Sequence, residues 1–318
     1  KMADPQSAGR VSQMVNGAST RPAPTPSTME HLKAVYLDAT AIKELPPSIE
    51  HLTSLVLLNL RGFESLASLP SGLCRLKCLE ALILSGCSKL DKLPEELGHV
   101  LSLEELYADG TAISNPPSTI VLLKNLKKLS FGGCKAVASR KRKASFPFWL
   151  LGQKNQDSTG LVFPSVSGLN SLARLDLSYC NLSDEGLPCD LGSLSSLVEL
   201  NLGKNNFTSI SAASIKNLSR LRILELVGCK RLEILPELPP CIEEVYADNC
   251  TSLQSATDLT KHGLLHRVSF SNCFKLLQDE RTSSMIYATW NHMLKVFSFL
   301  QYTYNSRRPK NFLRRRDY

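Results

Sequence analysis

Apolar residues recur along the chain as a triplet, Leu-x-x-Leu-x-Leu, with Val, Ile, Ala or Phe standing in at some positions. Clear copies fall at Leu32/Val35/Leu37, Leu55/Leu58/Leu60, Leu79/Leu82/Leu84, Leu103/Leu106/Ala108, Leu126/Leu129/Phe131, Leu172/Leu175/Leu177, Leu197/Leu200/Leu202 and Leu221/Leu224/Leu226. Two weaker copies follow, Ile242/Val245/Ala247 and Leu265/Val268/Phe270, and then the pattern fades. Successive copies begin 23, 24, 24, 23, 46, 25, 24, 21 and 23 residues apart. The one long interval is twice 23, which leaves room for a degenerate copy between Leu126 and Leu172.

A unit of two dozen residues is too short to bury its own apolar side chains, so the copies must stack and share one core. Alternation within the triplet predicts a short strand whose alternate side chains point inward. Between triplets, Ile42, Leu45-Pro46, Ile49 and Leu52 close the first coil on its other side, as Leu66, Leu69-Pro70, Leu73 and Leu76 close the second. The Leu-Pro pairs disfavour a long helix there, because Pro restricts the residue before it and has no backbone donor. The predicted fold is an α/β-class solenoid, right-handed and curved. A parallel β-sheet forms its concave face and short 3₁₀ or irregular segments its convex face. It spans residues 29–277 in about ten repeats.

Cysteine usage fits this architecture. Cys87, Cys134, Cys180, Cys229, Cys250 and Cys273 each stand three residues after a triplet, where other units carry Thr40, Phe63, Thr111 or Asn205. The regular placement predicts a buried ladder of free thiols, which pack as small hydrophobes. No member has an obvious partner for a bridge, so reduced thiols in a reducing compartment are expected. Cys74 and Cys78 lack a second ligand pair at zinc spacing, so no metal is expected.

Charge changes the picture only locally. The net charge of +8 comes from 37 Lys+Arg against 29 Asp+Glu. Arg140, Lys141, Arg142 and Lys143 hold four of the positive charges, and the tail from Arg307 a further net five, so the rest is within one charge of neutral. A nucleic-acid groove needs a basic face interleaved with stacking aromatics, and none is evident. No apolar run reaches the length of a bilayer span, and the first thirty residues lack the apolar core of a secretory signal. A membrane partner is not expected.

The wording of several units is more specific than a bare leucine repeat. "SGCSKL", "ELPPCIEEVYADNC" and "FSNCFKL", together with the units around them, resemble the leucine-rich-repeat region of plant intracellular disease-resistance receptors of the Toll/interleukin-receptor nucleotide-binding type. The resemblance runs from about Met29 to about Leu277. It implies a leucine-rich-repeat solenoid in a cytoplasmic, possibly nuclear, immune receptor that senses a pathogen effector or a guarded host protein. The receptor's own nucleotide-binding domain is a further implied partner. No Gly-x-x-x-x-Gly-Lys-Ser/Thr phosphate loop is present, so no nucleotide cofactor is expected by that route. Residues 1–28 read as a disordered leader and 278–318 as a capping helix with a basic tail. The chain reads as a truncated or partial receptor.

Recognition belongs on residues that face outward between the triplet positions. The candidates are Tyr36 and Asp38; Glu104, Glu105, Tyr107 and Asp109; Lys127 and Lys128; Arg174 and Asp176; Arg222 and Glu225; Glu244, Tyr246 and Asp248. Their charge changes sign from unit to unit, which suits a protein surface better than one polyanion. Tyr36, Tyr107 and Tyr246 share one strand position, where Tyr serves either as an interface anchor or simply as a good strand residue. The insertion 137–170 carries the basic run and Phe146, Phe148, Trp149 and Leu150, which are apolar enough to dock on the solenoid or on a partner. The basic run reads as a solvated loop or a nuclear-import signal. Ile286, Trp290, Met293, Leu294, Phe297 and Leu300 follow helical spacing and suit a lid on the open solenoid end.

Catalysis finds no support. The six His form no ligand pair, adjacent Glu residues on a strand diverge, and no nucleophile elbow occurs. No small-molecule substrate is expected. Two other classes stay open: an extracellular repeat receptor, for which Asn181, Asn206, Asn217 and Asn249 stand in glycosylation sequons, and a scaffold or substrate adaptor.

Overall fold

The computed structural model describes residues 31–38, 44–134, 160–163, 165–278, 283–284 and 287–288. The triplets become strands of three residues: β1 (Ala34–Tyr36), β2 (Leu57–Asn59), β3 (Ala81–Ile83), β4 (Glu105–Tyr107), β5 (Lys128–Ser130), β6 (Arg174–Asp176), β7 (Glu199–Asn201), β8 (Ile223–Glu225), β9 (Glu244–Tyr246) and β10 (Arg267–Ser269). They form one parallel sheet in strict chain order. The second triplet residue is the centre of each strand. Val35, Leu58, Leu82, Leu106, Leu129, Leu175, Leu200, Leu224, Val245 and Val268 therefore stand opposite one another in one continuous row. All but Val268 are buried, in a single apolar cluster that runs the length of the sheet.

After each strand from β2 to β10 the chain must turn away from the sheet, and it does so through a left-handed residue. Gly62, Gly86, Gly110, Gly133 and Gly228 hold this place, and Tyr179, Lys204, Asn249 and Asn272 occupy it elsewhere with φ between 56° and 62°. Glycine has no Cβ to clash there, which explains its recurrence. The left-handed N–H groups extend the ladder: Gly62, Gly86 and Gly228 donate to the carbonyls of Ser85, Asp109 and Asp248 on the next coil at 2.7 to 2.8 Å.

The next residue is the ladder cysteine, buried and free in all six cases. Each thiol donates to the carbonyl that ends the preceding coil's triplet. Cys87 bonds Leu60 at 3.2 Å, Cys134 bonds Ala108 at 3.0 Å, Cys180 bonds Phe131 at 3.0 Å, Cys229 bonds Leu202 at 3.2 Å, Cys250 bonds Leu226 at 3.1 Å and Cys273 bonds Ala247 at 2.9 Å. Asn205 does the same work with an amide, donating to Leu177 and Leu202 while accepting from the N–H groups of Cys180 and Leu182. The position thus satisfies carbonyls that the three-residue strands leave over inside the core.

On the convex side, Pro46, Pro70, Pro94 and Pro117 precede 3₁₀ turns at Pro47–His51, Ser71–Arg75, Glu95–His99 and Ser118–Leu122. One coil departs from the expected 3₁₀ or irregular form. Ala212–Lys216 is a short α-helix, in the coil where Ser-Ala-Ala replaces the Leu-Pro pair and helix propensity rises.

The long interval adds no strand to the sheet. β5 pairs directly with β6, Leu129 opposite Leu175, so no strand stands between them. Instead one coil is enlarged, and its returning limb packs Leu161, Phe163, Val166 and Leu169 into the core. Phe163 meets Phe131 edge to face, ring centroids 5.6 Å apart. The basic run, the Phe146–Leu150 segment, the leader and the basic tail lie outside the described residues, and of the expected helix from Ile286 to Leu300 only residues 287–288, which are helical, lie within them.

Candidate recognition surface

Each strand turns its central side chain into the core and its two flanking side chains to the opposite face. The parallel register then aligns those flanking residues in two rows across ten strands. One row runs Ala34, Leu57, Ala81, Glu105, Lys128, Arg174, Glu199, Ile223, Glu244, Arg267; the other runs Tyr36, Asn59, Ile83, Tyr107, Ser130, Asp176, Asn201, Glu225, Tyr246, Ser269. Of these twenty residues only Ser130 is buried.

Nine of the expected residues stand in these rows: Tyr36, Glu105, Tyr107, Lys128, Arg174, Asp176, Glu225, Glu244 and Tyr246. Asp38, Asp109 and Asp248 come two residues after the Tyr of their strand. Glu104, Lys127 and Arg222 stand one residue before their strands, one step early in the alternation, and form a flanking row. There Lys127 pairs with Glu104 at 2.7 Å and Arg222 with Glu243 at 3.5 Å. Outward apolar residues were not anticipated: Leu57, Ala81 and Ile83 lie in the rows, half-exposed. The signal for them is their place immediately beside the second triplet residue.

One local arrangement occurs twice. In the first copy, Tyr107 donates to Glu105 Oε2 at 3.2 Å, and Lys128 on the next strand pairs with Glu105 at 2.8 Å. Asp109 accepts from Ser85 Oγ at 2.9 Å, from the Gly132 N–H at 3.1 Å and from Ser130 Oγ. In the second, Tyr246 donates to Glu244 at 2.5 Å, Arg267 donates to the Tyr246 hydroxyl at 2.9 Å, and Asp248 accepts from Ser269 Oγ and from the Ser271 N–H at 2.8 Å. Behind each copy the last triplet position changes from small to large on the next coil, Ala108 to Phe131 and Ala247 to Phe270. The repeated wording Glu-x-Tyr-Ala-Asp, followed by Lys/Arg-x-Ser-Phe one coil later, is thus a structural cassette that ties two coils together.

Local electrostatics follow from these bonds. Burial raises the Asp248 pKa, but the bonds from Ser269 and Ser271 together outweigh it and hold the carboxyl below its ordinary range. Burial raises Tyr107, reinforced by Glu105 and opposed by Lys128. Glu225 is pushed up by burial and by the carboxylates of Asp176, Glu199 and Glu244. Among the described residues no three His, Cys, Asp or Glu side chains converge as metal ligands. The arrangement is an open sheet face with charged, aromatic and apolar groups in fixed register, chemistry suited to binding.

Stacked coils of this length, with a parallel sheet on one side and 3₁₀ turns on the other, define a leucine-rich-repeat protein. The chain belongs to that class: a family model described as a leucine-rich repeat region matches residues 27–131, and the leucine-rich-repeat model matches 171–194 and 196–218. The last three coils fall outside both matches, yet they contribute β8, β9 and β10.

Within the class, the repeats are similar to those of plant disease-resistance proteins of the Toll/interleukin-receptor nucleotide-binding type. The chain is 41% identical over 244 residues to TMV resistance protein N of Nicotiana glutinosa, covering 75% of the chain and 19% of that protein. It is 36% identical over 260 residues to the disease resistance-like protein DSC1 of Arabidopsis thaliana, covering 80% of the chain and again 19% of the relative. It therefore spans about a fifth of the length of these relatives. Among solved structures, TLR13 in its complex with ssRNA13 superposes with a TM-score of 0.54 at 18% identity, over 78% of this chain and 34% of that one. At that identity the likeness concerns the fold alone. Among the described residues no helix is long and apolar enough to cross a membrane.

Proposed function

We propose that this chain is the protein-recognition module of an intracellular plant immune receptor and engages a pathogen effector, or a host protein that the effector modifies, through the exposed face of its sheet. The observation that carries the reading is the conjunction of resistance-protein similarity over three quarters of the chain with an open face whose side chains are not committed to the core. The free, buried ladder thiols support a reducing, cytoplasmic compartment. A nuclear location and a docking role toward a receptor's nucleotide-binding domain belong to the same proposal.

The test is pairwise binding of the chain against a panel of pathogen effectors and host defence proteins. Binding by a panel member should fall at least about tenfold when Glu105, Tyr107 and Lys128 are replaced by Ala together, with the fold retained by circular dichroism. Undiminished binding by the triple variant contradicts the assignment of this face.

A further inference from the structure

The exposed sheet face is divided along its length. On β1 to β3 the two rows hold Ala34, Tyr36, Leu57, Asn59, Ala81 and Ile83, with no charge among them, and Tyr36 is 42% exposed. On β4 and β5 the charges of Glu105 and Lys128 cancel at 2.8 Å. On β6 to β9 the rows hold Asp176, Glu199, Glu225 and Glu244 against Arg174 alone.

The cations near that acidic half are already engaged. Arg174 pairs with Glu199 at 2.9 Å and Arg267 with Glu244 at 3.5 Å, where the His266 ring also lies 3.5 Å from the carboxylate. Glu225 makes no ion pair and no side-chain hydrogen bond among the described residues, although it is half-buried and sits between Asn201 and Tyr246 on the neighbouring strands. A half-buried carboxylate left among like charges is stabilised by an incoming cation more than an exposed one is, because less water screens it. A phosphate-bearing polymer meets repulsion at the same place.

Resting on the recognition role proposed above, we infer that this face takes a folded protein partner that presents an aromatic or aliphatic side chain to β1–β3 and a Lys or Arg to Glu225. Distance sets the size of that partner. Leu57 on β2 and Glu225 on β8 are six strand spacings apart, about 29 Å along the sheet, which an extended peptide needs about nine residues merely to span. One rigid surface reaches both ends without the ordering cost of such a peptide. Apolar anchorage at one end and charge at the other also divide the labour: the first sets affinity, the second orientation and partner choice.

The probe is a display library built on a small three-helix domain with a randomised surface, selected on the 318-residue protein. Dominant binders should combine Arg or Lys with Phe, Tyr, Leu or Ile and weaken as salt is added. Their affinity should drop at least about tenfold for both Glu225→Lys and Ile83→Asp, with Glu225→Gln intermediate. Binders without basic residues, or binders held within about twofold by both variants, overturn the inference. Loss with Lys128→Glu or Arg174→Glu alone overturns it while leaving recognition by this face intact. Indifference to all five variants contradicts the recognition role itself. Equal selection of a short linear peptide library, or self-association of the chain abolished by Glu225→Lys, replaces the folded partner with a peptide or a second copy. Thermal melts of each variant confirm that the changes act on an intact fold.

Discussion

At the scale of single residues, neighbouring positions have opposite roles. Leu82 is fully buried at the centre of β3, while Ile83 beside it faces out. Removing a buried leucine loses transfer energy and leaves a cavity, so Leu82→Ala or Leu200→Ala should lower unfolding free energy by about 2 to 5 kcal/mol. Tyr107→Ala removes a partly exposed ring and one hydrogen bond to Glu105, and should cost less than about 1 kcal/mol. Urea titration of the three variants checks the order, and a larger loss for Tyr107→Ala reverses the inward and outward assignment. The inward residues and the cysteine ladder were legible because their period exposes them. Leu57, Ala81 and Ile83 were not, because an apolar residue beside an apolar triplet reads by default as core. Glu104, Lys127 and Arg222 were legible as outward residues between triplet positions, but not their place one residue ahead of their strands, since the triplet alone does not fix where a three-residue strand begins.

At the scale of elements, carboxylates on the convex side act as clamps between coils. Asp190 accepts from the N–H groups of Val166 and Ser167, each at 2.9 Å, and from Ser165 Oγ at 2.5 Å, holding the returning limb of the enlarged coil. Asp184 likewise accepts from the Thr208 N–H at 2.6 Å and hydroxyl at 2.7 Å and from the Ser209 N–H at 3.2 Å. Burial alone raises both pKa values, but the hydrogen bonds outweigh it and both fall below the ordinary carboxylate range. A depressed folded pKa contributes stability above the unfolded value, and that contribution is lost as pH falls through the folded one. Melting temperature should therefore decline on the acid side of pH 4 in the native chain. Asp190→Asn should lower it at pH 7 and make the acid decline shallower; an unchanged pH 7 melting temperature and acid slope contradict the clamp. The 3₁₀ turns were legible from the Leu-Pro pairs, whereas the clamps depend on which residues of two coils face each other, which no single coil reveals.

At the scale of the whole molecule, a parallel sheet in strict chain order means that each coil packs only on its neighbours. Stability is then a sum along the stack, and the face free of packing duty varies in charge from one end to the other. The number of strands was readable from the triplets, but the 46-residue interval was not, since twice the period and one enlarged coil look alike in spacing. Only the pairing of Leu129 with Leu175 separates them.

One continuous stacked core with the sheet face left free can be probed by thiol labelling of the native chain with iodoacetamide, each cysteine followed by mass spectrometry. Cys78 and Cys189 are exposed, whereas the six ladder thiols are buried. Burial also pushes Cys134 up to about 11 and Cys180 up to about 12, suppressing the reactive thiolate further. Cys78 and Cys189 should be modified rapidly, with Cys87, Cys134, Cys180, Cys229, Cys250 and Cys273 reacting only as fast as the chain unfolds. Ladder cysteines modified as fast as Cys78, or found bridged to one another, contradict the stacked core.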